Sequence, residues 1–460
     1  RLMAGIGFEI RRILKRDSFL NLFEAYGLAG IISSGPWVLS VLGVMLIGVI
    51  SFTLAVSDTE VVQFLVSVTY LMAVSLTLSG LFQHVFTRWV ADRLYAKRND
   101  LILPNLMGLI WVTTVLSLGL GLMAMVLFFN DTSVLYRLLM LANFVVLCNL
   151  WPVTIFLSSM KSYRRIVVVF ALGYATAVVS SMVLSQFGLE GLLAGLLLGH
   201  SLLFFSFFYT IIRQYPGDHF IRFDFTRRRQ IFPALILTGL LFNAAVWADK
   251  FIFWFHPDTS QPIIASLRAS VIYDLPIFLA YLSIIPGMAV FLVRMETDFA
   301  EAYERFYNAV REGDTLERIN RFRDQMVIVA RNGIYEIFKV QGLTVIVIFL
   351  WSEEILAAIG ISPLYLPLFH IDLVAVGIQL LLLAIQNVLF YLDARGINVT
   401  LCALFFFGNI VFTFITIELG ASFYGYGFAA AALLAALTGL WLLSRKFDKL
   451  EYETFMLQGR

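Results

Sequence analysis

Long apolar segments separated by short polar ones make up most of this chain. About twelve of them are long enough to cross a bilayer as helices, because roughly 20 apolar residues span its hydrocarbon layer. They lie at residues 27–56, 61–86, 104–129, 134–157, 166–186, 189–212, 231–255, 270–293, 334–352, 366–391, 397–418 and 425–444. The pattern predicts an all-α polytopic membrane protein.

The basic residues are confined almost entirely to the segments between these spans. All Lys and Arg residues other than Arg137, Lys250 and Arg268 lie in segments 1–17, 87–103, 158–165, 213–230, 294–340, 393–396 and 445–460. With twelve spans, all of these segments fall on one side of the membrane. Cytoplasmic loops carry an excess of Lys and Arg, so we expect this side, with both termini, to be cytoplasmic.

A basic linker divides the chain into two groups of six predicted helices. We expect an N-terminal lobe at 18–212, a cytoplasmic linker at 213–230 and a C-terminal lobe at 231–444. Residues 1–17 have an apolar and a basic helical face, which is typical of a cytoplasmic helix lying on an anionic membrane surface or in solvent. We expect residues 445–460 to form a cytoplasmic tail.

A charged helical insertion at 294–330 interrupts the C-terminal lobe. Phe299, Tyr303 and Phe306 recur in it at helical spacing and therefore share one face. Two interpretations are open. The insertion is a solvated connector, or these three aromatic residues form a docking surface for a cytoplasmic partner.

The same insertion contains a predicted helix break. Gly313 ends one helix, and Asp314 to Glu317 resembles a capping box that starts the next. Favourable ion pairs four residues apart are expected at Glu301–Arg305, Asp314–Arg318 and Glu317–Arg321.

Composition restricts the class of protein further. The 460 residues are 60% hydrophobic and 14% charged, with a mean hydropathy of +0.86, and a soluble domain cannot bury that much apolar sequence. Cys148 and Cys402 lie in apolar segments and give no disulfide framework, and the five His residues lack metal-ligand spacing. There is no phosphate-binding loop. We therefore predict a transporter without enzymatic activity or a cofactor.

Two charged residues inside the seventh span are the strongest candidates for a functional site. Asp249 and Lys250 lie in the aromatic stretch 243–255, and a charge within a membrane helix costs about 2.5–3.5 kcal/mol. Adjacent helical residues point about 100° apart, so each is expected to have its own partner. Lys250 lies roughly 28 Å along this helix, towards the outer face of the membrane.

The expected partners enter from the neighbouring spans. Lys250 is predicted to pair with Asp274 or Asp372, and Asp249 with Arg268. An alternative is that these charges form a structural ion-pair network near the membrane surface.

An aromatic and polar face accompanies these charges. Asn243, Trp247, Lys250 and Trp254 share one side of the seventh span, and such faces commonly hold sugars by ring stacking and hydrogen bonds. Glu24, near the cytoplasmic end of the first span, is a further candidate for the pathway. The aromatic residues could instead belong to the interfacial belt of the membrane.

Several short stretches together resemble the Pel exopolysaccharide exporter family over nearly the whole chain. They are Met3-Ala-Gly-Ile-Gly-Phe-Glu-Ile-Arg11, Gly35-Pro-Trp-Val-Leu-Ser40, Trp247-Ala-Asp-Lys-Phe-Ile-Phe-Trp254, Tyr273-Asp-Leu-Pro276 and Arg294-Met-Glu-Thr-Asp-Phe299. That family is similar to the polysaccharide branch of the multidrug/oligosaccharidyl-lipid/polysaccharide flippase superfamily. The resemblance implies two six-helix lobes around a cavity and passage of a hexosamine-rich polymer across the bacterial inner membrane.

The resemblance also implies partner proteins. These are a cytoplasmic glycosyltransferase (PelF), a cyclic-di-GMP receptor (PelD) and a membrane partner (PelE). We therefore expect an exporter of nascent polysaccharide, working by alternating access or as a continuous channel. The alternatives are an ion-coupled flippase of small molecules or lipid-linked oligosaccharides, with Asp249 or Asp372 as its proton or sodium site, and a non-transporting scaffold that anchors the synthase through 294–330.

Overall fold

The computed structural model describes residues 57–158, 163–215, 217, 219–227 and 232–456, together with 29, 40, 41 and 43–49. The predicted helix at 1–17, most of the first span and Glu24 lie outside the described residues.

The described chain is almost entirely helical. Its helices are α1 (Asp58–Tyr95), α2 (Ile102–Phe128), α3 (Val134–Ser158), α4 (Tyr163–Leu184), α5 (Gly188–Gln214), α6 (Pro233–Phe255), α7 (Val271–Leu282), α8 (Ile285–Val293), α9 (Ala300–Glu312), α10 (Leu316–Leu350), α11 (Ser352–Ile359), α12 (Leu366–Tyr391), α13 (Arg395–Leu419), α14 (Tyr426–Asp448) and α15 (Leu450–Met456). Strands β1 (Gln261–Ile264) and β2 (Leu267–Ala269) form an antiparallel hairpin between α6 and α7.

The membrane architecture agrees with the apolar pattern. Among the described residues, nine helical stretches are long and apolar enough to cross a membrane, and α7 together with the helical stretch Ile285–Glu312, bent by 40°, gives a tenth if the two are counted as one span. One of the nine, Ile166–Gln214, holds both α4 and α5, which reverse at Gly188 (φ +62°) and pack on each other. The all-α polytopic fold is confirmed, while the count of twelve and the side of the termini stay predictions.

Two separate hydrophobic cores organise these helices. The first core is built mainly from buried side chains between Ile47 and Phe225. The second core is built from buried side chains between Ala245 and Leu450. Helix α6 belongs to both, because Trp254 packs in the first core and Phe253 in the second. This helix therefore forms the junction between the two cores, where it packs on α1 and α13.

The crossing of α1 and α6 depends on two glycines. A Cβ atom added at Gly80 would lie 2.5 Å from the backbone oxygen of Gly239, and one added at Gly239 would lie 2.1 Å from the oxygen of Gly80. No other residue type fits at this distance, so the two backbones touch directly.

The charged insertion forms two helices, as expected. A π-helical segment, Arg294–Phe299, joins α8 to α9, and α9 ends at Gly313 in the left-handed conformation (φ +70°). The next helix is capped by Thr315, whose hydroxyl accepts from the Arg318 amide, and not by Asp314. The structure contains two of the expected ion pairs, Glu301–Arg305 and Asp314–Arg318.

The predicted docking residues do not form an exposed surface. Phe299 and Phe306 are fully buried and Tyr303 is half-buried. The rings of Phe299 and Tyr303 each lie 5.4 Å from the ring of Tyr391 on α12. Phe299 and Tyr303 therefore pack on the chain's own α12, and Phe306 is buried in the second core, so Phe299 and Phe306 are unavailable to a partner in this conformation, while docking at this face stays a prediction.

Candidate functional site

Asp249 and Lys250 pair with each other inside the second core. Both side chains are buried, and the Lys250 ammonium lies 3.1 Å from Asp249 Oδ2 and 3.2 Å from Oδ1. The same ammonium donates to the Val246 carbonyl at 2.8 Å. The prediction of separate partners was wrong, because the four-carbon stem of lysine lets the ammonium fold back along the helix although the two Cβ atoms point apart.

Other helices supply further donors to the Asp249 carboxylate. The Tyr273 hydroxyl of α7 donates to Oδ2 at 2.6 Å, and the Asn409 amide of α13 donates to Oδ1 at 3.1 Å. The predicted Asp249–Arg268 pair is absent from the described structure. Arg268 lies on β2, where its guanidinium donates to the Ser260 hydroxyl at 2.9 Å and to the Ser260 carbonyl at 3.3 Å.

Lys250 also contacts two aromatic rings of the second core. Its ammonium lies 4.9 Å from the ring centre of Phe428 and 5.1 Å from that of Tyr281, within the range of cation–π attraction. Trp254, in contrast, packs in the first core. The face predicted to carry both residues is therefore divided between two environments and does not form one open wall.

Neither aspartate predicted as a partner of Lys250 contacts it in an ion pair. Asp274 instead accepts from the Trp254 indole at 2.7 and 3.0 Å and from the Ser270 amide at 3.2 Å. Asp372 is fully buried on α12, and neither of its carboxylate oxygens has a hydrogen-bond partner among the described residues. The Lys250 ammonium forms its ion pair with Asp249, so its charge acts on the Asp372 carboxylate without a hydrogen bond between them.

An aromatic cluster lies beside this network, at the junction of the two cores. The Tyr70 ring of α1 stacks on the Trp254 indole with centroids 4.5 Å apart. Phe251 and Trp247 lie 5.0 and 6.2 Å from the same indole. Asn243 lies further along α6, where its amide donates to the Gly239 carbonyl at 2.8 Å.

Sequence reasoning missed Tyr70, Tyr273, Tyr281, Asn409 and Phe428 of this site. Asn409 carried a usable signal, since it is an amide within the apolar segment 397–418. Tyr70 had no such signal, because a tyrosine in an apolar helix usually packs in a core.

The described residues hold no group of three or more His, Cys, Asp or Glu side chains that could bind a metal ion. A cleft of about 500 Å³ lies elsewhere, in the charged insertion between the π-helical segment, α9 and α10, where Arg294 and Glu336 are among its lining residues. Within the cleft, Arg294 pairs with Glu336 at 2.5 Å and with Asp298 at 2.7 Å.

Solved transporter structures resemble this fold at low sequence identity. An outward-facing multidrug resistance MATE family transporter of the MOP superfamily superposes with a TM-score of 0.63 at 14% identity, covering 92% of this chain and 96% of that one. A MATE structure in the bent conformation gives 0.64 at 13% identity, covering 99% of both chains. A MOP superfamily transporter from Pyrococcus furiosus gives 0.60 at 15% identity, covering 93% and 96%. These likenesses establish a MOP-type transporter fold.

Family assignment comes from the sequence itself. No curated protein matches the chain. The model of the PelG family, described as "Putative exopolysaccharide Exporter (EPS-E)", matches residues 3–455. Because this match covers nearly the full length, the chain belongs to the PelG family of exopolysaccharide exporters.

Proposed function

We propose that this protein carries nascent Pel-type exopolysaccharide across the bacterial inner membrane, along a pathway that opens between the two cores. The observation that carries the proposal is the family match over residues 3–455 on a chain with a MOP-type transporter fold. We assign the chain no catalytic role and expect the polymer to be made by another protein.

The junction residues support this pathway. Charged side chains inside a membrane helix are costly and usually serve a transport route or pair with one another. We therefore keep as pathway residues Asn243, Trp247, Asp249, Lys250, Trp254, Arg268, Asp274 and Asp372, with Glu24 as a further candidate. Because Asp249, Lys250 and Trp254 are buried, the polymer can reach them only after the helices around them move apart.

The predicted partners remain part of the proposal. A glycosyltransferase (PelF), a cyclic-di-GMP receptor (PelD) and a membrane partner (PelE) would supply the polymer and control its synthesis. The charged cleft at Arg294 and Glu336 is a more accessible contact for a cytoplasmic partner than the buried Phe299 and Phe306.

A second candidate function is ion-coupled transport of a lipid-linked oligosaccharide. The observation that favours it is the buried Asp372 carboxylate, which lacks a hydrogen-bond partner and would be satisfied by a proton or a cation. Collapse of export after dissipation of the ion gradient, with polymer synthesis intact, would support this candidate.

The direct test is deletion of the gene with complementation by the full chain. We expect polymer synthesis to continue and surface polysaccharide to disappear, with both measured by quantitative sugar analysis of cell-associated and secreted fractions. Unchanged secretion in the deletion strain would refute an export role. Loss of synthesis itself would instead favour a scaffold for the synthase.

A further inference from the structure

The Trp254 indole is held in a fixed orientation by the second half of the chain. Its N–H donates to both oxygens of Asp274, at 2.7 and 3.0 Å. Asp274 is anchored in turn by the Ser270 amide at 3.2 Å. These groups lie on α6, on α7 and at the residue before α7, so none of these hydrogen bonds comes from α1.

One face of this indole is covered by a ring from the other side of the junction. Tyr70 of α1 stacks on it at 4.5 Å with an interplanar angle of 29°. The Tyr70 hydroxyl donates to the Arg268 carbonyl at 2.8 Å and accepts from the Arg268 amide at 3.3 Å. Tyr70 therefore bridges α1 and strand β2, and movement of α1 away from α6 uncovers an indole that is already oriented.

We propose that Trp254 is a sugar-stacking platform of the export pathway, and that Tyr70 occupies this platform in the closed state in place of a sugar ring. The apolar C–H face of a pyranose is complementary to an indole face, and the Asp274 carboxylate beside it can accept hydrogen bonds from hydroxyl or amino groups. The ligand class is a saccharide unit of the exported polymer, so this inference rests on the proposed function.

Tyr70 then acts as a competitor of the sugar. The apparent affinity for a ligand is reduced when the binding face is uncovered in only a fraction of the protein molecules. Removing the Tyr70 ring abolishes the competing stack without changing the Trp254–Asp274 geometry, so binding becomes tighter.

Saccharide binding to the purified full-length protein tests this platform. The probe is the tetrasaccharide of N-acetylglucosamine, titrated by calorimetry in detergent. We expect Tyr70→Ala to bind it roughly three- to tenfold more tightly than the unmodified chain, as expected for loss of one aromatic stack. Adding Trp254→Leu, which keeps apolar volume but removes the flat ring, abolishes this gain. Size-exclusion profiles establish that each variant is folded.

His84→Ala is the matched control. His84 also joins α1 to the second half of the chain, with its ring 5.0 Å from that of Phe390 on α12, but it lies away from the indole. The His84→Ala substitution loosens the contact between α1 and the second half of the chain without uncovering Trp254. We therefore expect it not to increase the affinity for the tetrasaccharide.

The platform is refuted if Tyr70→Ala binds the probe no more tightly, if the gain persists with Trp254→Leu, or if His84→Ala produces the same gain. These outcomes are separate from the export test, because a deletion strain that still secretes polymer refutes the proposed function whatever the titration shows. If the protein is required for export but its Tyr70→Ala variant gains no affinity for the probe, only the platform is refuted.

Discussion

At the scale of single residues, the Asp249–Lys250 pair stabilises the second core only as long as both members are present. A buried ion pair gains little over apolar residues of the same size, because desolvation offsets most of the Coulomb attraction. Removing one partner leaves a buried charge uncompensated. Loss of the lysine costs more, because the Lys250 charge also attracts the buried Asp372 carboxylate, which has no hydrogen-bond partner of its own among the described residues.

We therefore expect Lys250→Met to destabilise the protein by about 3–5 kcal/mol, whereas Asp249→Leu combined with Lys250→Met restores most of the loss. Thermal unfolding of the purified variants in detergent measures the difference. A double variant less stable than the Lys250→Met single variant would show that the pair is not the reason for the destabilisation.

The same residues show how far the site could be predicted. Asp249, Lys250 and Trp254 were identified because charge and indole nitrogen are unusual in an apolar segment. Their partners were not, since Tyr273 and Asn409 come from helices that approach only in three dimensions. The geometry of a helix fixes the positions of its Cβ atoms, but it does not fix the position of a lysine ammonium at the end of a flexible side chain. The partners expected for Lys250 were wrong for this reason.

At the scale of the elements, the direct contact of Gly80 with Gly239 sets the distance between α1 and α6. A methyl group at either position meets backbone, which cannot rotate away as a side chain can. The helices would have to separate along their length, and this would also pull Tyr70 from Trp254.

We expect Gly80→Ala and Gly239→Ala each to lower the thermal midpoint clearly, although alanine favours a helix over glycine by about 0.5–1 kcal/mol. Gly119→Ala on α2 is the control, because an added Cβ meets nothing within 4 Å there. Its midpoint should stay the same or rise. Equal behaviour of all three variants would contradict a role for close packing at the crossing.

Apolar periodicity predicted the existence of the helices well and their surroundings poorly. The charged insertion formed its two helices at the expected glycine, because the left-handed conformation of Gly313 is a local property. What the Phe299 and Tyr303 rings pack on could not be read from the pattern, because their partner Tyr391 lies far away in the sequence. The hairpin at Gln261–Ala269 was missed because its strands are too short to show an alternating pattern.

At the scale of the whole molecule, the two halves are in contact at both ends of α1. At one end the Gln63 amide donates to the Ile263 carbonyl at 3.4 Å. At the other end Arg88 pairs with Asp393 at 3.8 Å. A transport cycle based on alternating access must break at least one of these two contacts. A continuous channel leaves both contacts intact and therefore has to pass through another part of the protein.

Cross-linking the Gln63–Ile263 contact distinguishes these mechanisms. We expect Gln63→Cys combined with Ile263→Cys, joined by a short bismaleimide in cells, to abolish surface polysaccharide if the halves must separate. The native Cys148 and Cys402 are buried, so they should react slowly.

A cross-link within the N-terminal half of the chain is the matched control for this experiment. The hydroxyl of Ser133, the residue before α3, donates to the Glu190 carboxylate of α5 at 2.7 Å. Ser133→Cys with Glu190→Cys should therefore react in the same way and leave export intact. Normal export by the cross-linked Gln63–Ile263 variant would exclude alternating access through this interface.

The direct contact of Gly80 with Gly239 also divides α6 into two arms of unequal length. Gly239 lies six residues from the start of this helix at Pro233 and sixteen from its end at Phe255, which correspond to arms of about 9 and 24 Å. A rotation of α6 by about 10° about this contact moves its Pro233 end by roughly 1.5 Å and its Phe255 end by roughly 4 Å. In the export pathway proposed above, the Trp254 end of α6, which the predicted topology places towards the outer face, therefore opens wider than the Pro233 end, and the width of the gap at Trp254 limits which polymer can leave.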